Sequence, residues 1–320
     1  MTTIDRADID SLVPSSSFTR RRFVRTGVGS GFAAAVLPVT AQTVVKTDTQ
    51  GLEAGERTIL VGDFKLPVYV AKPANATKAP SAAPGRSEGA DAPPRGAANE
   101  ESVGAPIVLV VSEIFGVHEY IADVARRFAK RGMFAVAPEL FVRQGDAASY
   151  GEIAKLVAEV VSKVPDAQVM SDLDACVAWA GANGGDTARV GVTGFCWGGR
   201  ITWLYAAHQP QVKAGVAWYG RLVGEANTLQ PKHAVDVAAQ LYGPVLGLYG
   251  GQDQGIPLAT VEQMKATLGK GGAAAKRSSF HVYPDAPHGF HADYRPSYRK
   301  DAADDGWKRC LDWFQAHGVV

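Results

Sequence analysis

The residues best suited to chemistry in this chain are a cysteine, a histidine and two carboxylates, each set at the edge of an apolar run. Cys196 lies in Gly194-Phe195-Cys196-Trp197-Gly198, within the longer stretch GVTGFCWGGR. A nucleophile with glycines two before and two after marks a sharp strand-to-helix turn, where a crowded backbone leaves no room for flanking side chains. A helix opening just beyond that turn directs its positive end at the sulfur and favours thiolate. Downstream, Gly250-Gly251-Gln252-Asp253 sets a carboxylate after one apolar run. Asp285-Ala286-Pro287-His288-Gly289-Phe290 sets a histidine after the next. Nucleophile, acid and base in that order suit nucleophilic hydrolysis: the histidine takes the thiol proton, the carboxylate orients the ring, and sulfur attacks a carbonyl carbon. Taken singly, Cys196 fits a structural or phosphate-cradling turn, Asp253 a turn residue and His288 a polar loop group; the joint order argues for catalysis. A fourth group, Glu113, closes the run IVLVVSE. A carboxylate there is costly unless it faces a polar crevice or a partner, a salt bridge beneath a loop being the alternative.

Groups so far apart in sequence meet only if the elements carrying them deliver them to one edge. Short apolar, β-branched runs at 107–112, 133–137, 190–193, 214–218, 245–249 and 280–283 read as strands covered on both faces. Helical stretches at 120–131, 168–182, 258–268 and 301–316 alternate with them, which predicts a mainly parallel, doubly wound sheet in one domain spanning 42–320. Loops at the carboxyl ends of such strands line the crevice where open parallel sheets bind ligands. Cys196, Asp253, His288 and Glu113 all follow strands and so are expected there. Upstream, alternating segments at 57–61 and 66–71 predict an antiparallel hairpin. Residues 72–105, rich in Ala, Pro, Gly and Ser without apolar periodicity, predict a flexible surface insertion.

The four residues in their motifs (Cys196 in G-F-C-W-G-G, Glu113 in S-E-I-F-G, Asp253 in G-G-Q-D, His288 before Gly289-Phe290) resemble the dienelactone hydrolase family over most of 106–314. The resemblance implies an α/β-hydrolase fold, a doubly wound mainly parallel sheet with helices on both faces. It implies a Cys-His-Asp triad that cleaves a small lactone or carboxylic ester through a covalent acyl-enzyme. By the same resemblance the backbone N–H groups of Ile114 and Trp197 hold the oxyanion, and Glu113 contacts the resting thiol and swings away when substrate binds. Arg143, in Pro138-Glu139-Leu140-Phe141-Val142-Arg143-Gln144, matches the family segment whose arginine grips a substrate carboxylate; an exposed surface arginine is the alternative. Arg295, in His291-Ala292-Asp293-Tyr294-Arg295, is a second candidate cation, displaced from the pattern of compact members. A broader carboxylesterase or thioesterase using the same residues is the neighbouring reading, and a catalytically idle binding protein is the reading from another class.

Composition limits the alternatives. The chain has 320 residues, 46% apolar and 20% charged, with 33 basic against 32 acidic residues. That supports a large core, and no basic stripe with interleaved aromatics points to nucleic acid. Of three cysteines, Cys176 and Cys310 sit at helical spacing among apolar neighbours and read as small core residues. His288, His291 and Asp293 are the only grouping with a metal-like look, and no CxxC or HExxH accompanies them. No metal or cofactor is expected. Residues 1–41 read as a leader: Thr19-Arg20-Arg21-Arg22-Phe23 resembles a twin-arginine export signal, and the weakly apolar 27–39 run is 13 residues, short of the roughly 20 that cross a bilayer. Export to the periplasm is the expectation, with a plain basic tail as the alternative. The mature protein is expected as a monomer or homodimer, acting off the membrane on a small substrate, anionic if the arginines serve as the resemblance implies.

Overall fold

The computed structural model describes residues 44–75 and 104–320. The proposed leader and the middle of the proposed insertion lie outside the described residues. The sheet comprises β1 Leu52–Val61, β2 Phe64–Pro73, β3 Ala105–Val111, β4 Phe134–Pro138, β5 Gly185–Phe195, β6 Val212–Trp218, β7 Val245–Gly250 and β8 Ser279–Tyr283. Its order is β1-β2-β4-β3-β5-β6-β7-β8. β1 and β2 pair antiparallel, as do β2 and β4; every other neighbouring pair is parallel. This is the mainly parallel sheet that strand–helix alternation predicts. β4 and β7 are buried throughout, whereas edge strand β1 is mostly solvent-facing. Continuous apolar runs and loose alternation therefore mark centre and edge.

Several elements run longer than their apolar runs suggest. β5 begins at Gly185 rather than 190, because its ladder with β3 continues beyond an irregularity between Pro106 and Ile107. β2 continues through Lys72 to Pro73, and β3 begins at Ala105, so both ends of the 72–105 segment are sheet and not a flexible insertion. Lys72 Nζ donates to the Asn183 carbonyl at 2.9 Å and stands over the Phe134 ring, anchoring the departing end.

The helices are α1 Glu119–Ala129, α2 Ile153–Glu159, α3 Asp166–Ala182, α4 Trp197–His208, α5 Ala234–Val237, α6 Leu258–Leu268, α7 Ala273–Arg277 and α8 Lys300–Ala316. Gly191 and Gly194, an odd number of residues apart on β5, face opposite sides of the sheet. A side chain at the first would meet Phe314 of α8, and at the second Thr202 of α4. Phe128 of α1 packs at a tilt against Trp307 and Phe314 of α8, so α1 and α8 cover one face. Tyr205 of α4 donates to Asp174 of α3, and these helices cover the other. In α8, Ala303, Gly306, Cys310 and Phe314 form the buried stripe, and in α3 Val169, Leu173, Cys176 and Ala180 do. Cys176 and Cys310 are thus core residues; burial pushes both thiols up and leaves them inert. From β3 the chain crosses to β4 on one side and then returns to β5 on the other. That reversal opens a crevice beyond the carboxyl ends of β3 and β5.

Candidate active site

Cys196 stands between the end of β5 and the start of α4, at φ 54° and ψ −115°. Among the described residues only Tyr219 shares a positive φ without being glycine. A side chain held there is strained by about 1–3 kcal/mol and persists because its surroundings over-determine it. The surroundings are visible. Its N–H donates to the Trp218 carbonyl at 3.0 Å, and its carbonyl accepts from Gly199 at 2.9 Å. A Cβ on Gly194 would come within 2.1 Å of the Gly198 carbonyl oxygen, and one on Gly198 within 2.3 Å of the Val111 oxygen. The flanking glycines are therefore required by backbone-to-backbone contact, the reason the spacing suggests.

Asp253 follows β7 and His288 follows β8. His288 Nδ1 and Asp253 Oδ2 are 2.7 Å apart, both side chains being buried. The other carboxylate oxygen accepts from the N–H groups of Gly255 and Ile256 at 3.0 and 3.2 Å, so Asp253 is fixed before it meets the ring. With Nδ1 committed to Asp253, Nε2 is the nitrogen left for the sulfur. Burial alone would lower the His288 pKa; the negative charge and hydrogen bond of Cys196, with those of Asp253, outweigh it and push it up to about 10. The ring rests edge-on against Tyr219, centroids 5.0 Å apart.

Cys196 and His288 open on one cleft of about 120 Å³, whose walls combine apolar Ile114, Trp197 and Ile256 with charged Arg200, Arg221 and Glu225. A cavity of about 150 Å³ holds a benzene ring, so this one suits a small ring or short acyl chain. Trp197 is the first residue of α4, where a backbone N–H has no carbonyl to bond within its own helix. Ile114 reaches the same cleft, and its loop is pinned by Glu139, which accepts from Val117 N–H at 2.7 Å and Phe141 N–H at 3.4 Å. Burial pushes the Glu139 pKa up to about 7 against those two hydrogen bonds.

The other sequence candidates lie differently from expectation. Glu113 is buried at the end of β3, but its partners are Tyr294, whose hydroxyl donates to Oε2, and Arg295, with Nη2 at 3.3 Å from Oε1. The carboxylate expected on the resting thiol is instead held in an ion pair outside the cleft lining. Arg295 is correspondingly a partner of Glu113; its Nε donates to the Tyr294 hydroxyl oxygen at 3.0 Å. Arg143 does not reach the cleft. It grips buried Asp172 of α3 with two bonds of 2.6 and 2.8 Å and lies over the Phe64 ring at 3.8 Å, which corrects its reading as a substrate clamp. His288, His291 and Asp293 do not converge as a metal site would: His291 Nδ1 and the Tyr120 hydroxyl lie 2.6 Å apart in a hydrogen bond, and Asp293 accepts from Val45 N–H at 2.7 Å.

Sequence reasoning missed Tyr294, Glu139 and the pair Arg200–Asp166. Arg200 of α4 bonds Asp166 of α3 twice at 2.7 Å and donates to the Lys232 carbonyl at 2.6 Å. An arginine in the first turn of an otherwise apolar helix was the available signal. Glu139 and Tyr294 stand beside candidate arginines in quoted motifs, yet only tertiary structure gives them partners.

The chain is similar to known proteins over most of its length. The model of the Dienelactone hydrolase family matches residues 96–318. A candidate carboxymethylenebutenolidase of Methylorubrum extorquens is 56% identical over the full length of both chains. One of Escherichia coli is 47% identical over 90% of this chain and 96% of its own. The crystal structure of a candidate dienelactone hydrolase of Klebsiella pneumoniae superposes with a TM-score of 0.72 at 50% identity, covering 82% of this chain and 98% of that one.

Proposed function

The chain belongs to the dienelactone hydrolase family, and from that premise we propose that it cleaves a small lactone or carboxylic ester with Cys196 as nucleophile, His288 as acid and base, and Asp253 as orienting carboxylate. Such chemistry makes it a carboxylic ester hydrolase of the carboxymethylenebutenolidase type. The observation that carries the reading is the strained sulfur sharing a cleft with a histidine ring that Asp253 holds at 2.7 Å.

The sulfur of Cys196 attacks the carbonyl carbon as the C=O electron pair moves onto oxygen. The N–H groups of Trp197 and Ile114 receive that oxyanion, each donor being worth about 3 kcal/mol in such sites. As the tetrahedral intermediate collapses, His288 gives its Nε2 proton to the departing oxygen and an acyl-thioester remains on Cys196. Water then loses a proton to His288 and attacks the thioester, releasing the acid and restoring the thiolate–imidazolium pair. In a lactone both products stay in one molecule. Glu113, held by Tyr294 and Arg295 outside the cleft lining, takes no direct step in this scheme. The same machinery would serve a broader ester or thioester range, the small cleft favouring short acyl groups.

The test is intact-mass measurement during turnover of a lactone, an aryl ester and a thioester. An acyl adduct on the wild type, absent in Cys196→Ala along with hydrolysis, is expected; undiminished hydrolysis by Cys196→Ala would falsify the scheme. Place belongs to the same proposal. The twin-arginine-like run Arg20-Arg21-Arg22 supports periplasmic export. Cell fractionation of Arg20→Lys/Arg21→Lys should find the chain retained in the cytoplasm, and unchanged distribution would refute export by that route. Sedimentation at working concentration reads the expected monomer or dimer.

A further inference from the structure

We propose that Glu139 is the positioning residue of the oxyanion site, tying the segments of both backbone donors to one carboxylate; the proposal rests on the hydrolytic reading of Cys196 given above. Ile114 sits in the loop 112–118 that leaves β3, and Trp197 opens α4. The start of that loop is held by β3 and by the hold of Tyr294 and Arg295 on Glu113, and its end by α1. Glu139 holds the turn between. Its Oε2 accepts from Val117 N–H at 2.7 Å. Gly116, at φ +73°, lies against the same group, and a Cβ there would collide with both carboxylate oxygens. The other oxygen reaches toward the second donor. Oε1 accepts from Phe141 N–H at 3.4 Å, and the Phe141 ring packs at a tilt against Trp197, centroids 4.8 Å apart. Glu139 is itself anchored: its own N–H donates to the Pro67 carbonyl of β2 at 2.9 Å, so the sheet carries the carboxylate.

Two N–H groups converging on one side chain call for two acceptor oxygens and no donor, which an ionised carboxylate supplies. Burial, with the nearby charge of Asp146, raises Glu139 to about 7 against those two bonds. Keeping it ionised therefore costs the folded chain stability, a cost that an amide or an apolar side chain would avoid. A role in the reaction accounts for it. Oxyanion donors act because they already point to where charge will develop. A displacement of about 1 Å in a positioned group can cost about 10²-fold in rate. Attack of the sulfur on a saturated carbon forms no oxyanion, so it should not depend on Glu139.

That difference supplies the test. Wild type, Glu139→Ala and Glu139→Gln are compared at one alkaline pH in two reactions of Cys196. The first is hydrolysis of phenyl pentanoate, which passes through an oxyanion. The second is alkylation by iodoacetamide, in which a C–S bond forms and iodide leaves with its electron pair. The buried thiols of Cys176 and Cys310 do not compete. Glu139→Ala should lower kcat about tenfold or more, with KM within about threefold and the alkylation rate within about twofold of wild type. Glu139→Gln keeps one acceptor of the two, and its kcat should lie between, about threefold or more below wild type. Any other order of kcat overturns the proposal. So does a loss confined to KM, or a parallel fall in alkylation, which would place the damage at the elbow and not at the oxyanion site. Should Glu139→Ala not fold, the gap between wild type and Glu139→Gln, with alkylation unchanged, still decides. A wild type that cleaves neither this ester nor a lactone sinks the hydrolytic reading and the proposal together. A wild type that cleaves through Cys196, with kcat kept in Glu139→Ala, sinks the proposal alone.

Discussion

Replacing Asp253 with asparagine tests the electrostatics of the site most directly. His288 is held up to about 10, although burial alone would carry it below its ordinary 6.5. Its supports are the charge on Cys196 and the Asp253 carboxylate at 2.7 Å. A hydrogen bond to a charged partner contributes about 1.5–3 kcal/mol, and one pKa unit corresponds to about 1.4 kcal/mol. Asp253→Asn should thus lower the imidazolium pKa by about one to two units, to about 8–9. The sign follows from linkage. A base whose folded pKa is raised adds stability that is complete below 6.5 and is lost as pH rises through about 10. The variant keeps less of that stability and loses it at lower pH. Because the imidazolium must protonate the leaving group, the alkaline limb of kcat/KM should move down by the same interval, and kcat should fall about 10²–10⁴-fold as the ring loses its orientation. Thiolate absorbance near 240 nm, followed over the same pH range, reads the pair if turnover is too slow. An alkaline limb that stays within about 0.3 unit of the wild type, with kcat preserved, refutes the role given to Asp253.

Three further outcomes follow from the same structure. Cys196→Gly should be more stable than Cys196→Ala by about 1 kcal/mol in urea unfolding, reversing the usual order, because glycine alone adopts φ 54° without strain; equal midpoints would show that the elbow is relaxed. Gly198→Ala should cost about 3 kcal/mol or more and abolish hydrolysis, since its Cβ would meet the Val111 and Ser112 carbonyl oxygens at 2.3 and 2.6 Å; a stable, active variant would contradict the close approach. Glu139, raised from 4.5 to about 7 by burial, keeps a proton in the folded chain that the unfolded chain has released. Stability should therefore decline by up to about 3 kcal/mol as pH rises from about 4.5 to 7, and Glu139→Gln should flatten that slope when unfolding is compared at pH 5 and pH 8.

How much of this was legible in the sequence depends on the range over which each signal acts. The glycines around Cys196 answer to atoms a few residues away or on the adjacent strand, so their spacing alone announces the elbow. Asp253 and His288 were legible because each follows an apolar strand, and parallel strands deliver their carboxyl ends to one edge. The arginines were not legible, and the reason is physical. A guanidinium's role is set by which carboxylate reaches it, and Arg143 and Asp172, Arg200 and Asp166, and Arg295 and Glu113 are paired by helix packing and loop placement that no local pattern encodes. The motif around Arg143 resembles its family's substrate clamp, yet α3 supplies a buried aspartate that takes the side chain first. The ends of the 72–105 segment make the same point for the fold. Lys72 and Pro73 follow a clear strand and Ala105 precedes another, but the Ala- and Pro-rich composition between them masks both ladders until the partner strands are in place. Short-range steric demands thus announce the cysteine elbow in advance, whereas the pairing of the buried charges depends on tertiary structure. That division is why local motifs announce the strained elbow but not the ion pairs packed around it.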